Sequence, residues 1–375
     1  MFEMIAPPEA RHDPRRSLCV DLDGTLVKSD TLVDSLLVLA RTHPARFFAA
    51  PFYVLRGRAA FKAWVTDSVL LRIEHLPYNR KVVEFIRGQR NLGRSIYVAT
   101  GADERLAERV AAHLGLFVGV LGSKGTTNLT GRKKLDRIRT EFGGGAYDYI
   151  GNDVPDLPLM ACAAESMVAN PTLRLRLELW RRGIRPARIF IDRRGALISV
   201  IRALRVRRWA ANLLVFLPLV LSQAAAPARV LSGFLAFCCF SLAASSTYIV
   251  EGLLNVEADR SDSKKSLRPF AAGDLSPFVG LMIGAFSLSL AFLGSRYLPI
   301  AFFEWLLVYL AVKVAHTWFF EPICFVDEIV FSGLCTLRLV AGVVATQSFV
   351  SNWLVGLSIF LFFSFAMVRR VIRVV

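Results

Sequence analysis

Four short motifs place oxygen and nitrogen groups where phosphorus chemistry needs them. In "DLDGTL", Asp21 and Asp23 stand two apart after an apolar run, so both carboxylates can face one pocket, and Gly24 lets the chain turn sharply. One carboxylate can attack phosphorus and carry the phosphoryl group; the other can protonate the leaving group and later activate water. Thr100-Gly101 offers a hydroxyl and backbone N–H groups to a phosphoryl oxygen. "GRKK" supplies Lys133 and Lys134, one of which can balance the charge of the intermediate. "GNDVPD" adds Asn152, Asp153 and Asp156 close to where Mg²⁺ would bridge carboxylates and substrate oxygens. A lone Asp-x-Asp-Gly-Thr is equally well a turn with a helix cap; three such signals in this order carry more weight.

A second set of polar groups lies in "YIVEGLLNVEADRSDSKKSLRPFAAGD", Tyr248 to Asp274, a charged island between two apolar runs. Mg²⁺ held by carboxylates can grip a diphosphate there, while Lys and Arg neutralise its oxygens. Asp327 starts a later apolar run and Arg338 sits inside it. A charge inside a membrane helix is costly and usually functional; the plainer alternative is a structural ion pair. His316 reads as an interfacial residue near a helix end, and His113 as a structural one. Asn128-Leu-Thr130 matches a glycosylation sequon, which a cytoplasmic domain never presents to that machinery.

The elements that must position the first set are short apolar runs ending in polar residues: "SLCVDL" at 17–22, "SIYVAT" at 95–100 and "YDYIG" at 147–151. They read as buried parallel strands. Helical patterns separate them, including "ERLAERVAAHLGLF", which aligns Leu106, Val110, Ala111 and Leu114 on one face. This alternation predicts a doubly wound α/β sheet with its site at the strand carboxyl ends, and the helical segment 31–92 predicts a small cap.

From about residue 209 onward the chain is a series of apolar runs, 209–226, 230–250, 276–296, 299–319, 328–346 and 350–368. Runs of about 20 apolar residues suffice to span a bilayer core. The reading is thus a soluble domain over 1–195, a basic linker over 196–208, and an all-α multi-span membrane domain of six helices over 209–375. The chain carries a net charge of +16, and its densest basic cluster, "RPARIFIDRRGALISVIRALRVRRW", immediately precedes the first run. Basic residues near the spans fall mostly on one side, so membrane topology accounts for the charge better than nucleic-acid binding. The expected location is the inner membrane, multi-pass, with the N-terminal domain in the cytoplasm; the N-terminus lacks a basic–apolar–small signal pattern. The six scattered cysteines contain no Cys-x-x-Cys pair and suit a reducing compartment rather than a disulfide framework or zinc site.

The first constellation resembles the haloacid dehalogenase-like (HAD) phosphohydrolases over about residues 15–170. That resemblance implies Asp21 as nucleophile, Asp23 as acid/base, Thr100 as phosphate ligand beside Gly101, Lys134 as the charge-balancing base, and Asp153 or Asp156 on Mg²⁺. Gly151-Asn152 stands where the family often has Gly-Asp. The charged island, with "RPFAAG" and "CFVDEIVFSGLCTLRLVAG", resembles the UbiA family of membrane prenyltransferases, in the branch that moves phosphoribose from phosphoribosyl diphosphate to a polyprenyl phosphate, and "DYIGNDVPDLPL", "GTTNLTG" and "LRLVAG" resemble fusions of a HAD domain to that kind of UbiA domain. The UbiA resemblance implies Asn255, Asp259 and Asp327 as metal ligands, Lys264, Lys265, Arg268 and Arg338 as substrate ligands, and a polyprenyl (di)phosphate and a phosphorylated small molecule or sugar as partners. Two departures matter. The acidic motif falls on Glu251, Gly252, Asn255 and Asp259, thinning its Asp content, and Glu321 stands where a basic cluster is usual. Family members also carry more helices than the six read here, which predicts a groove open on one side.

Overall fold

The computed structural model describes residues 16–125, 127–223, 226–317, 325–348 and 351–374. The chain divides into two units, Met1–Ala196 with Leu254–Ser276, and Leu197–Leu253 with Pro277–Val375. Residues 254–276, expected to belong with the membrane helices, therefore group with the first unit.

In that first unit, strands β1 (Ser17–Val20), β2 (Ile96–Asp103), β3 (Gly119–Ser123), β4 (Tyr147–Gly151), β5 (Glu165–Ala169) and β6 (Arg188–Phe190) form one six-stranded sheet in the order β3-β2-β1-β4-β5-β6. Every pair is parallel. Alternate residues face opposite layers: Leu18, Val20, Ile96, Val98 and Ile150 pack on one side, Cys19, Ala99, Tyr147, Tyr149 and Val168 on the other. Both faces are covered, which is why these strands read as continuous apolar runs. The chain reverses its direction of winding at β1, whose neighbours are β2 and β4, so their carboxyl ends open a crevice.

Helices α1 (Thr31–Thr42), α2 (Pro44–Val54), α3 (Arg58–Ser68) and α4 (Arg80–Asn91) fill the segment between β1 and β2, as the cap expectation requires. Asp30 caps α1 by accepting from the Leu32 and Val33 N–H groups at 2.9 and 3.1 Å. Helix α5 (Glu104–Leu114) buries Leu106, Ala107 and Val110, with Ala111 and Leu114 half-buried at its rim, and ends on left-handed Gly115. Helices α6 (Arg132–Glu141), α7 (Leu157–Cys162) and α8 (Leu173–Arg181) complete the crossovers.

The remaining helices are α9 (Ala196–Ala203), α10 (Leu217–Leu221), α11 (Pro227–Leu254), α12 (Val256–Ser261), α13 (Pro277–Ser295), α14 (Ile300–Ala315), α15 (Val326–Thr346) and α16 (Asn352–Val374), with α12 in the first unit. Four of them, α11, α13, α15 and α16, are long and apolar enough to cross a membrane. The other two expected spans differ. Run 209–226 is a 3₁₀ segment, Val206–Phe216, followed by the short α10. Pro218 has no N–H to give to the preceding turn, so one continuous helix is blocked there. Run 299–319 yields α14, followed by a π turn at His316 and Thr317; residues 318–319 lie outside the described residues. The second unit's core brings Phe240 edge-on to Phe302 and Tyr309, with ring centroids 5.8 and 5.0 Å apart. Gly342 lets α15 approach the 3₁₀ segment: a Cβ there would lie 2.2 Å from the Val215 carbonyl oxygen. The five cysteines among the described residues are all free.

The first unit is tied through a fully buried Arg94, which donates to the Arg16 carbonyl at 2.7 Å, to Gln89 at 3.0 Å and to the Asp148 carboxylate. Asp148 also accepts the Glu165 N–H at 3.0 Å, so β1, β4 and β5 are all pinned to this one guanidinium. Stripping one partner from a buried pair leaves an uncompensated charge. Arg94→Met is therefore expected to lower the unfolding free energy of this unit by about 3–5 kcal/mol, measured by pulse proteolysis in urea.

Candidate active site

The crevice at β1 is built on a tight loop. The Leu26 and Val27 N–H groups return to the Asp21 and Leu22 carbonyls at 3.2 and 2.9 Å, and the Gly24 N–H reaches the Ser29 carbonyl at 3.2 Å. Gly24 has φ +77°, and a Cβ on it would sit 2.0 Å from Asn152 Nδ2, so glycine is required twice over. This brings Asn152, from the end of β4, against the Asp-x-Asp turn. Asp23 Oδ1 accepts the Thr31 N–H at 2.8 Å, fixing the second carboxylate at the start of α1.

Lys134, buried on α6, reaches the same place. Its Nζ donates to Asp21 Oδ1 at 2.7 Å, to the Tyr149 hydroxyl at 2.7 Å and to Asp156 Oδ1 at 3.3 Å. Tyr149 passes its own proton to Asp156 Oδ1 at 2.7 Å. Burial pushes the Asp21 carboxyl up to about 7, with Lys134 opposing and Asp156 adding to the rise. Burial and then the neighbouring Asp30 charge push Asp23 up to about 8. The upward shift of Asp23 is in the direction a general acid needs.

Other expected residues have different employment. The buried Thr100 hydroxyl accepts the Ala102 N–H at 3.0 Å, and the Gly101 carbonyl accepts from Ser123 Oγ at 2.8 Å. Asp153, expected on the metal, caps the 3₁₀ turn at Val154 (2.8 Å) and accepts from Thr172 Oγ1 (3.0 Å). Asp156 is committed to Lys134, Tyr149 and the Asn152 and Asp153 N–H groups. Both contacts of Asp153 use Oδ1. Among the described residues no three His, Cys, Asp or Glu side chains gather to hold a metal ion. The donors that do converge on the turn are the Asp21 and Asp23 carboxylates and the Asn152 amide. This hard-oxygen set fits Mg²⁺, which is commonly held by one or two carboxylates while substrate oxygens and water complete its shell.

Sequence reasoning missed Tyr149, Lys62 and Ser29. Tyr149 alternates with Asp148 on β4, a position that reads as core. Lys62 Nζ donates to the Gly101 carbonyl and, at 2.8 Å, to Asn128 Oδ1. It lines a pocket of about 60 Å³ with Asp23, Asp30, Ser35 and Asp103.

In the loop 254–276 the structure pairs the groups expected to bind diphosphate. Arg268 Nη1 contacts both Asp259 oxygens at 2.8 Å. Asn255 precedes α12 without capping it. Lys264 and Lys265 are exposed, their N–H groups turned to Asp262 at 2.9 and 3.1 Å. In the second unit, buried Arg338 donates to Asn212 Oδ1 (2.8 Å), the Leu334 carbonyl (2.6 Å) and the Tyr309 hydroxyl (3.2 Å). His316 is no mere interfacial residue: its Nε2 lies 2.6 Å from Asp327 Oδ1. Glu251 is held by Arg205 at 2.7 Å and Lys313 at 3.3 Å, and Arg205, Arg208 and Lys313 all stand over the Tyr248 ring. Glu321 and Cys324 lie outside the described residues.

No family model matches the sequence. The protein y4nM of Sinorhizobium fredii is 31% identical over 369 residues, covering 96% of this chain and 69% of that protein. The decaprenyl-phosphate phosphoribosyltransferase of Mycobacterium tuberculosis is 33% identical over 172 residues, 41% of this chain and 53% of its own. The chain thus spans about half the length of that enzyme, and the likeness lies in the C-terminal, UbiA-like part. Among solved structures, a UbiA homolog from Archaeoglobus fulgidus bound to DMAPP and Mg²⁺ is 18% identical, covers 44% of this chain and 61% of its own, with a TM-score of 0.39. A phosphoserine phosphatase in apo form is 14% identical, covers 48% of this chain and 95% of its own, with a TM-score of 0.32.

The contact of Gly24 with Asn152 generates a test. Gly24→Ala is expected to destabilise the first unit by about 2–4 kcal/mol, from the clash and the left-handed backbone together. Adding Asn152→Ala is expected to recover the clash and leave a residue of about 1 kcal/mol for the backbone. Thermal unfolding of the single and double variants reads both terms.

Proposed function

Because the chain belongs to one family with y4nM, and joins a HAD-like unit to a UbiA-like membrane unit, we propose that it is a membrane-bound phosphomonoesterase whose helices receive a polyprenyl phosphate. The observation that carries the reading is the Lys134 ammonium 2.7 Å from Asp21 Oδ1, with Asp23 held by the Thr31 N–H in the same turn. Asp21 attacks phosphorus; Lys134 balances the charge that spreads onto the phosphoryl oxygens and keeps Asp21 oriented. Asp23, protonated by its buried position, gives its proton to the leaving oxygen. It then takes one from the water that cleaves the aspartyl phosphate, so the cycle returns both carboxyls to their starting states. Asp21, Asn152 and Asp23 would hold Mg²⁺, and the bound ion would supply Lewis-acid neutralisation of the substrate oxygens.

For the membrane unit we propose transfer of phosphoribose from phosphoribosyl diphosphate to the polyprenyl phosphate, supported by its likeness to decaprenyl-phosphate phosphoribosyltransferases, with the HAD-like centre removing the phosphate that the new lipid-linked sugar carries. The inner membrane, with the first unit on the cytoplasmic side, is the location this requires. One observation favours a second reading, in which the helices bind lipid phosphate and anchor the phosphatase without transfer: Asp259 and Asp327 are already engaged by Arg268 and His316.

The test uses the purified full chain in lipid with Mg²⁺. Asp21→Asn is expected to lower phosphate release from p-nitrophenyl phosphate by about a thousandfold, and Lys134→Met by about a hundredfold. Release that survives Asp21→Asn overturns the phosphatase reading. Labelled phosphoribosyl diphosphate and polyprenyl phosphate, with Asp327→Asn as control, separate the two readings of the helices: a labelled lipid lost in the control means transfer, and no labelled lipid means an anchor.

A further inference from the structure

Arg260 is the cation that neither the phosphatase centre nor the diphosphate reading absorbs. It lies in α12, yet its guanidinium is 8% exposed and closes on Asp34 of α1, itself 1% exposed. Nη1 meets Asp34 Oδ2 at 2.8 Å, Nη2 meets Asp34 Oδ1 at 3.0 Å and Ser29 Oγ at 3.2 Å, and Nε donates to the Ala271 carbonyl at 3.2 Å. Ser29 Oγ donates in turn to Asp34 Oδ2 at 2.6 Å. Four of the five guanidinium N–H groups are engaged here, which commits the planar fork to Asp34, Ser29 and Ala271.

What the fork grips is the segment that sets the Asp-x-Asp turn. Ser29 supplies the carbonyl that receives the Gly24 N–H at 3.2 Å, and Thr31 supplies the N–H that holds Asp23 Oδ1 at 2.8 Å. Arg260 spans Ser29 and Asp34 on either side of those two anchor points. The same loop presses on the turn a second time at Lys28. Gly273, at φ +69°, approaches so closely that a Cβ would stand 2.7 Å from Lys28 Cβ, and Asp274 lies 3.9 Å from Lys28 Nζ. The loop's other end is held where Glu257 accepts the Arg72 N–H at 3.0 Å.

We propose that Arg260 is a positioning residue of the phosphatase centre, and that loop 254–276 is the back wall against which Ser29 to Asp34 is set so that Asp23 meets the leaving group. A sub-ångström loosening of that segment moves Asp23 without touching Asp21 or Lys134, so the loss falls on turnover and spares binding. Its kinetic part rests on the phosphatase reading; its structural part does not.

The test uses the full chain in lipid nanodiscs with Mg²⁺. Arg260→Lys keeps the charge and loses the fork; Arg260→Met loses both; Ser29→Ala loses one contact. Hydrogen exchange is followed by mass spectrometry in peptides covering residues 21–35. Both Arg260 variants are expected to exchange there about tenfold faster than the parent, with β4 and β5 unchanged. Turnover of p-nitrophenyl phosphate is expected to fall about tenfold or more, with KM within about twofold and Ser29→Ala in between. If Arg260→Met does not fold, Arg260→Lys decides by the same readouts. Unchanged exchange over 21–35 overturns the proposal. So does faster exchange with undiminished turnover, which would make Arg260 purely structural. A parent protein without Asp21-dependent hydrolysis overturns the phosphatase reading instead, and exchange alone then decides this one.

Discussion

A single buried ammonium organises the crevice of the first unit. Lys134 comes from α6, Asp21 from the end of β1, Tyr149 from β4 and Asp156 from the turn after it, and all four meet within hydrogen-bond distance. Each carboxylate would be costly there alone, and the lysine more so. Together they hold the ends of β1 and β4 in one orientation. Asp156, which looks like a spare acid in the sequence, serves chiefly to keep Lys134 charged and aimed. Its second oxygen collects the Asn152 and Asp153 N–H groups, so the same carboxylate also shapes the turn that delivers Asn152 to Gly24.

The second unit follows a related rule in a harsher solvent. Among the described residues several of its charges are paired: Glu251 with Arg205 and Lys313, Asp327 with His316, Glu328 with Arg370 at 2.6 Å. Arg338 is spread over an amide, a carbonyl and a phenol, and Asn212 continues the chain to Ser241 Oγ at 3.0 Å. Pairing lowers the cost of polar groups among apolar helices, although Glu251 Oε2, Glu328 Oε2 and His316 Nδ1 are buried without a hydrogen-bond partner among the described residues. A phosphate arriving near Glu251 would meet three cations already sharing one carboxylate and the Tyr248 ring, so an anion there competes with a partner instead of filling a vacant charge.

The strands that carry the site were legible because burial on both faces makes them uninterrupted apolar runs, and β1, β2 and β4 fall where the runs do. The other three were not: β3 is "GVLGS" with two glycines, β6 has three residues, and β5 begins on Glu165. Helix α5 and the helical cap followed from periodicity. The apolar runs marked the spans but not their backbone, since hydropathy is blind to Pro218 and to the 3₁₀ path before it. Residue identity placed Asp21, Asp23 and Lys134 near phosphorus chemistry. It could not say that Asp153 spends itself on a cap, because capping and metal binding call on the same carboxylate and differ in φ and ψ alone. Nor could it pair His316 with Asp327, which are eleven positions apart with no helix running between them in the described residues.

The grouping of Leu254–Ser276 with the first unit makes that unit discontinuous in the chain. A ribosome releases β1 to β6 well before it reaches Arg260, and α11, a membrane-crossing candidate, is made in between. Domains generally fold as they emerge, N-terminal parts first. This one must wait for the Arg260 fork on Asp34 until the loop arrives, so its native state is completed after synthesis of a hydrophobic helix rather than before. A nascent chain stalled short of α12 holds every side chain around Lys134 and still lacks the piece that closes its own fold.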